Sequence, residues 1–250
     1  MKKSSLSVLI ACSFSVHAYD QINYVAVTDP GLFTDTKVSI RVETFLTTSA
    51  KPTVILAHAC GGDTAAGQTE WAERIRSWGY NVVKPDSFRP RGIDRDCGGH
   101  RMITWEQRAR DFGAVADWAS TQTWHKGNIA IVGFSHGAVG GIEYANKPTS
   151  NKITAIVAYY PKCGIGGQSK PKIPVQMHIA GSDDWTLPGP CISLAEDNDM
   201  YDGWVYPSAT HVFDRVLSIT HYQGHKVGFD PVAAPQAEQN TQRFLKQHLN

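Results

Sequence analysis

Gly133-Phe134-Ser135-His136-Gly137 is the stretch of this chain best able to do chemistry. It follows directly on the apolar run Ile129-Ala130-Ile131-Val132 and precedes a segment of helical periodicity, the strand-to-helix context that a G-x-S-x-G nucleophile elbow requires. Glycine on both sides lets the backbone turn tightly and pack closely, which lifts the Ser135 hydroxyl clear of the sheet. The helix that follows aims backbone amides at the place where an oxyanion would develop. The bare five-residue pattern arises by chance in long chains, and a serine can simply cap a helix; the strand before it makes it informative.

A serine hydroxyl is a weak nucleophile, so it needs a base, and the base needs an orienting acid; in this architecture the chain order is Ser, acid, His. Gly181-Ser182-Asp183-Asp184-Trp185-Thr186-Leu187-Pro188 lies just past the apolar run Val175 to Ile179 and offers two adjacent carboxylates. Asp184 is taken as the acid and Asp183 as its alternative, which spacing alone does not separate; Asp202 comes third. His211, five residues past a short strand ending at Tyr206, is the expected base. His221 and His225 compete with it from a glycine-rich stretch, whereas His58 and His136 flank the elbow and are badly placed to act as base.

The elements that must position these groups follow from the apolar pattern. Val38 to Phe45 alternates as a half-buried antiparallel strand does, and Thr53 to Ala57 is a continuous apolar run of the kind buried on both faces. A helix is expected around Trp71, Ile75 and Trp78, ending at Gly79, then a strand from Asn81 to Lys84 closed by Pro85. Further expectations are a helix from about Trp105 to Ala119, strands 129–132, 153–159, 175–179 and 204–206, and helices after Gly137, over 188–196 and over 236–248. Such alternation predicts an α/β chain with a mostly parallel sheet of seven or eight strands and helices on both faces. Residues 214–234 hold no clear element and read as a surface excursion.

The 250 residues are 42% apolar and 19% charged, which excludes disorder and collagen. With 24 basic and 23 acidic side chains and no basic block, nucleic acid is not an expected partner. Residues 1–18 read as a signal peptide, with Met1-Lys2-Lys3, an apolar stretch from Leu6 to Val16, and small residues at Val16 and Ala18 before the cleavage point. Residues 19–250 then form a single domain, periplasmic or secreted. Leu9-Ile10-Ala11-Cys12 offers the alternative of a lipoprotein anchored at Cys12; no membrane span is expected. Cleavage after Ala18 leaves Cys60, Cys97, Cys163 and Cys191, an even number in an oxidising compartment, with three connectivities open. Nothing has the spacing of a metal site or a dinucleotide loop, so neither metal nor cofactor is expected.

From about Pro52 to His248 the chain resembles the dienelactone hydrolase family of the α/β-hydrolase superfamily. His58-Ala59-Cys60-Gly61-Gly62 looks like the family's oxyanion segment, Asp86 to Gly92 like its next loop, and Gly133 to Gly137 like its elbow. Asp184 to Pro188 resembles the D-x-x-x-P acid loop, which favours Asp184 over Asp183; Tyr206 to Asp214 resembles the histidine loop, and Phe229-Asp230-Pro231 leads into a final helix as in relatives. The resemblance implies an α/β-hydrolase fold with Ser135, Asp184 and His211 as triad and the backbone N–H groups of Cys60 and His136 as oxyanion hole. With the family's placement of strands it also implies disulfides Cys60–Cys97 and Cys163–Cys191. Members acting on dienelactones carry a cysteine nucleophile; Ser135 points instead to broader cleavage of carboxylic esters, thioesters or lactones through an acyl-enzyme. A peptidase on the same triad and a catalytically silent binding protein are the alternatives.

For the substrate pocket Trp185, next to the acid loop, is the best aromatic candidate, with Arg89, Arg91 and Arg101 as cations that would favour a carboxylate-bearing ester. Trp71 and Trp105 are assigned to the core by their helical spacing.

Overall fold

Runs of β-branched and small apolar residues build the sheet, and amphipathic helices cover it. The computed structural model describes residues 19–249 except 32, 64–66, 99–101, 166–167, 169 and 216–217. The expected signal peptide, Cys12 and Arg101 lie outside the described residues. In chain order the first elements are β1 (Gln21–Asp29), β2 (Thr36–Phe45), β3 (Lys51–Ala57), α1 (Gln68–Ser77) and β4 (Asn81–Asp86). There follow α2 (Trp105–Ser120), β5 (His125–Phe134), α3 (His136–Asn146), β6 (Ile153–Tyr159), β7 (Val175–Ala180), α4 (Gly189–Glu196) and β8 (Tyr201–Tyr206). A hairpin of β9 (Thr220–Tyr222) and β10 (His225–Val227) precedes α5 (Ala233–Leu249).

The strands lie in the order β1-β2-β4-β3-β5-β6-β7-β8. β2 is antiparallel to both its neighbours, and from β4 to β8 every pairing is parallel. Alternation within the central strands divides the core between the two faces. Ile55, Ala57, Ile129 and Ile131 meet Phe112 and Val115 of α2 and Ala138 and Ile142 of α3, and on the other face Val54, Leu56, Ala130 and Val132 meet Trp71 and Ile75 of α1 and Phe244 and Leu245 of α5. The sheet is thus wound on both sides, and the carboxyl ends of β3, β5, β7 and β8 open at one edge, where such sheets hold their ligands.

Three details differ from the sequence reading. β1 was not expected; its inward residues Val25 and Val27 alternate with exposed Tyr24, Ala26 and Thr28. β4 runs through Pro85, which stands opposite Val42 of an antiparallel neighbour, because a proline removes only one ladder donor. The excursion at 214–234 contains the β9–β10 hairpin, closed by Gln223 and Gly224 at φ 51° and 84°, the paired positive φ of a tight hairpin turn. Three residues per strand are too few to register as a period.

Burial disfavours the charged form of His178, His136 and His58. His178 on β7 is fully buried between the Tyr206 hydroxyl at 2.9 Å and the Thr241 hydroxyl at 2.9 Å, and burial pushes its pKa down to about 3. Burial likewise takes His136 to about 4 and His58 well below its usual value, the Arg108 charge adding to both. The unfolded chain titrates near 6.5, so it takes up protons that the folded chain refuses as pH falls from about 6.5 toward 4; stability present above that window is lost within it. His178 alone is expected to cost about 2 kcal/mol at pH 5. Thermal unfolding at pH 7.5 and pH 5 should show a midpoint several degrees lower at pH 5, with a smaller drop in His178→Gln; equal midpoints would refute it.

Candidate active site

The chain leaves β5 by a turn whose close packing requires glycine at 133 and 137. Ser135 caps α3 at φ 49° and ψ −111°, outside the regions where a side chain sits comfortably. A Cβ at Gly133 would lie 2.7 Å from the carbonyl group of Gly137, and a Cβ at Gly137 would lie 2.3 Å from the Ala57 carbonyl oxygen at the end of β3. The Ser135 N–H donates to the Tyr159 carbonyl at 2.9 Å, which ties the strained residue to β6.

His211 comes from the loop after β8 and is only 2% exposed. Its main chain is held against β10 by a bridge to Val227 and by the Gly228 N–H donating to its carbonyl. One ring nitrogen, Nε2, lies 3.0 Å from Ser135 Oγ, and the other, Nδ1, lies 2.7 Å from Asp183 Oδ2. Asp183 also accepts the Trp185 N–H at 2.8 Å, the Thr186 N–H at 2.9 Å and the Thr186 hydroxyl at 2.8 Å. Burial pushes the Asp183 carboxyl up, and the contact with His211 together with the Thr186 donors more than reverses this, leaving it below the usual carboxylate range. An ionised carboxylate only accepts, so the imidazole proton resides on Nδ1 and the Nε2 lone pair faces the serine hydroxyl.

The acid at the histidine is therefore Asp183, and the expectation of Asp184 is corrected. The turn that ends β7 folds Asp183 back over the sheet, with its N–H on the Ala180 carbonyl, while the next side chain points outward. Asp184 accepts the Lys226 N–H at 3.1 Å and lies 3.5 Å from His225 Nδ1, so it ties the hairpin down. Asp202 on β8 accepts from Gln176 and from the Trp204 indole, away from the site. His225 stacks on Trp185 with ring centres 5.0 Å apart, and the other face of the site is closed by Tyr160, 4.6 Å from the His211 ring. His221 stands exposed in β9.

Ser135 opens into a cavity of about 200 Å³ whose wall includes Cys60, His136, Trp105, Trp185, Asp96 and Lys162. His136 is the first residue of α3, so its amide has no acceptor within the helix. Cys60 lies in the loop after β3, where its carbonyl accepts the Asp96 N–H at 2.8 Å and its sulfur is bonded to Cys97. A second disulfide joins Cys163 to Cys191.

Trp185 lines this cavity, and so does Trp105, which the helical spacing had assigned to the core; its ring packs on His136 at 4.4 Å from the first turn of α2. Trp71 is buried, with its indole N–H on Asp214 at 2.7 Å. Of the arginines proposed for the pocket, neither Arg89 nor Arg91 reaches it. Arg91, on a short 3-10 turn after β4, is spent on Asp29 at 2.7 Å and Asp111 at 2.8 Å, and Arg89 lies on the same turn outside the cavity wall. Among the described residues the cation in the wall is Lys162, which sequence reading missed; its position three residues past the end of β6, at the carboxyl edge of the sheet, was the available signal. Among the described residues no group of His, Cys, Asp and Glu is placed to hold a metal ion, and no helix is long and apolar enough to cross a membrane.

The sequence model of the dienelactone hydrolase family matches residues 41–249. Comparison with curated proteins finds no match. Among solved structures, a dienelactone hydrolase-like promiscuous phosphotriesterase from metagenomic libraries superposes with a TM-score of 0.73 at 15% identity, over 92% of this chain and 99% of that one. A putative dienelactone hydrolase from Klebsiella pneumoniae gives 0.67 at 17% identity, over 92% and 100%. An esterase from Pyrococcus furiosus gives 0.65 at 17% identity, over 92% of both chains. These neighbours share the α/β-hydrolase fold of this chain.

Proposed function

Since this chain belongs to the dienelactone hydrolase family, we propose that it is a serine hydrolase that cleaves carboxylic esters through an acyl-enzyme formed on Ser135. The observation that carries the reading is the continuous path Asp183 Oδ2, His211 Nδ1, His211 Nε2, Ser135 Oγ, with steps of 2.7 Å and 3.0 Å across the ring. Ser135 Oγ attacks the ester carbonyl while His211 Nε2 takes its proton, and Asp183 stabilises the imidazolium that results. The charge on the carbonyl oxygen is received by the Cys60 and His136 N–H groups, each such donor being worth about 3–4 kcal/mol in the transition state. Collapse expels the alcohol, which leaves with the proton from His211. Water then attacks the acyl-enzyme with His211 as base, and the carboxylic acid departs as the proton returns to Ser135.

A cavity of about 200 Å³ suits a short acyl group or one ring rather than a long chain. Neighbours of this fold bearing the names esterase and carboxylesterase support an ester as substrate. Two disulfides support an exported protein, since such bonds persist in oxidising compartments. A fluorophosphonate probe is expected to label the wild type, with the adduct on the peptide containing Ser135, and to leave Ser135→Ala unlabelled. Equal labelling of both proteins would overturn the proposal.

A further inference from the structure

Arg108, in the first turns of α2, is completely buried, yet none of the described carboxylates forms an ion pair with it. A guanidinium is expensive to bury and is normally placed against an acid, so an unpaired one calls for a reason. Its stem crosses α3 at Gly140, where an added Cβ would come within 2.7 Å of the Arg108 Cβ, and its head lies over the rings of Phe88 and Phe112 at 5.2 Å and 5.3 Å. Among the described residues its Nε has no partner.

The contacts that it does make converge on two short segments. Arg108 Nη2 donates to the carbonyl of His58 at 3.0 Å, just past the end of β3, and Nη1 lies 3.4 Å from His136 Nδ1. His58 Nδ1 donates to the Ala59 carbonyl, which leaves the His58 ring nothing to accept from Arg108 there, whereas neutral His136 offers a lone pair at Nδ1 and turns its Nε2 toward Asp96 Oδ2, 3.6 Å away. Asp96 in turn donates its N–H to the Cys60 carbonyl. The carbonyl that Arg108 grips also faces Gly137, where a Cβ would be 2.6 Å from it. One buried cation therefore joins the loop carrying the Cys60 amide to the elbow carrying the His136 amide.

We propose that Arg108 is a positioning residue that sets the spacing of the two oxyanion amides by clamping the His58 carbonyl and the His136 ring from beneath. This rests on the reading of Ser135 as nucleophile. Two donors on separate segments serve a tetrahedral oxyanion only when both lie about 3 Å from one point, and a shift of a fraction of an ångström in either loses transition-state stabilisation without altering ground-state binding. Arg108 acts through these amides and touches no substrate.

The test compares wild type with Arg108→Lys and Arg108→Met on a short-chain p-nitrophenyl ester, with active sites counted by fluorophosphonate. Arg108→Met is expected to lose at least about 30-fold in kcat with KM within about 3-fold, and Arg108→Lys, which keeps a cation and one donor, to recover part of that loss. If Arg108→Met does not fold, Arg108→Lys decides, a loss of at least about 5-fold in kcat at unchanged KM supporting the proposal. Amide hydrogen exchange, which needs no substrate, is expected to quicken over 57–62 and 135–139 in Arg108→Lys and to stay unchanged over β6 and β7. Wild-type kcat in a folded Arg108→Lys, or unchanged exchange in both segments, would overturn the proposal. If the wild type hydrolyses no ester, the functional reading fails and the exchange data alone decide the role of Arg108.

Discussion

Ser135→Ala, His211→Ala and the variant carrying both substitutions are expected to show the same fall in kcat, on the order of 10⁶, with KM little changed. A nucleophile and its base act as one unit; once either is gone, nothing remains for the other to do, and the residual rate comes from substrate binding and the backbone donors. Ser135 Oγ and His211 Nε2 are already at 3.0 Å in the free protein, so no rearrangement is needed to bring them together. Steady-state hydrolysis of a p-nitrophenyl ester by the three variants checks this. Additive losses, with the double variant falling by the product of the single effects, would mean that the two residues act independently and would remove the basis for the mechanism.

Asp183→Asn should cost about 10⁴ in kcat, while Asp184→Asn should stay within about 3-fold of the wild type. The amide at position 183 would present a donor to His211 Nδ1 or shift the ring to its other tautomer, in which Nε2 carries the proton and cannot take one from Ser135. Asp183 is buried and accepts four hydrogen bonds, counting His211, so its loss is felt at the imidazole. Asp184 is exposed and ties down the hairpin at Lys226 and His225. The pair of adjacent substitutions controls for fold and local charge, since both remove one carboxylate from the same turn. The reverse order of effects would reinstate Asp184.

These neighbouring aspartates mark where sequence reading stops. A nucleophile elbow is a local object; its strand, its two glycines and its helix are contiguous, and each close approach that makes the glycines obligatory involves the turn itself or the strand beside it. The winding of the sheet was legible for a similar reason, because burial on both faces forces the continuous apolar runs at 53–57, 129–132 and 153–159. Short β9 and β10 carried no such period, and β1, at the sheet's edge, carried a weak one.

The sequence by itself determined an α/β sheet and a G-x-S-x-G turn that sets Ser135 between a strand and a helix; it put forward His211 ahead of His221 and His225, and Asp184 ahead of Asp183 and Asp202, as the groups to meet that serine. Only the tertiary structure decided that Asp183 turns inward to meet that histidine, that Arg91 is consumed by Asp29 and Asp111, and that Trp105, Lys162 and Asp96 wall the cavity. The physical reason is that a side chain's direction at a turn depends on which distant groups accept or donate there. A one-residue change reverses it, and neither spacing nor composition records those partners.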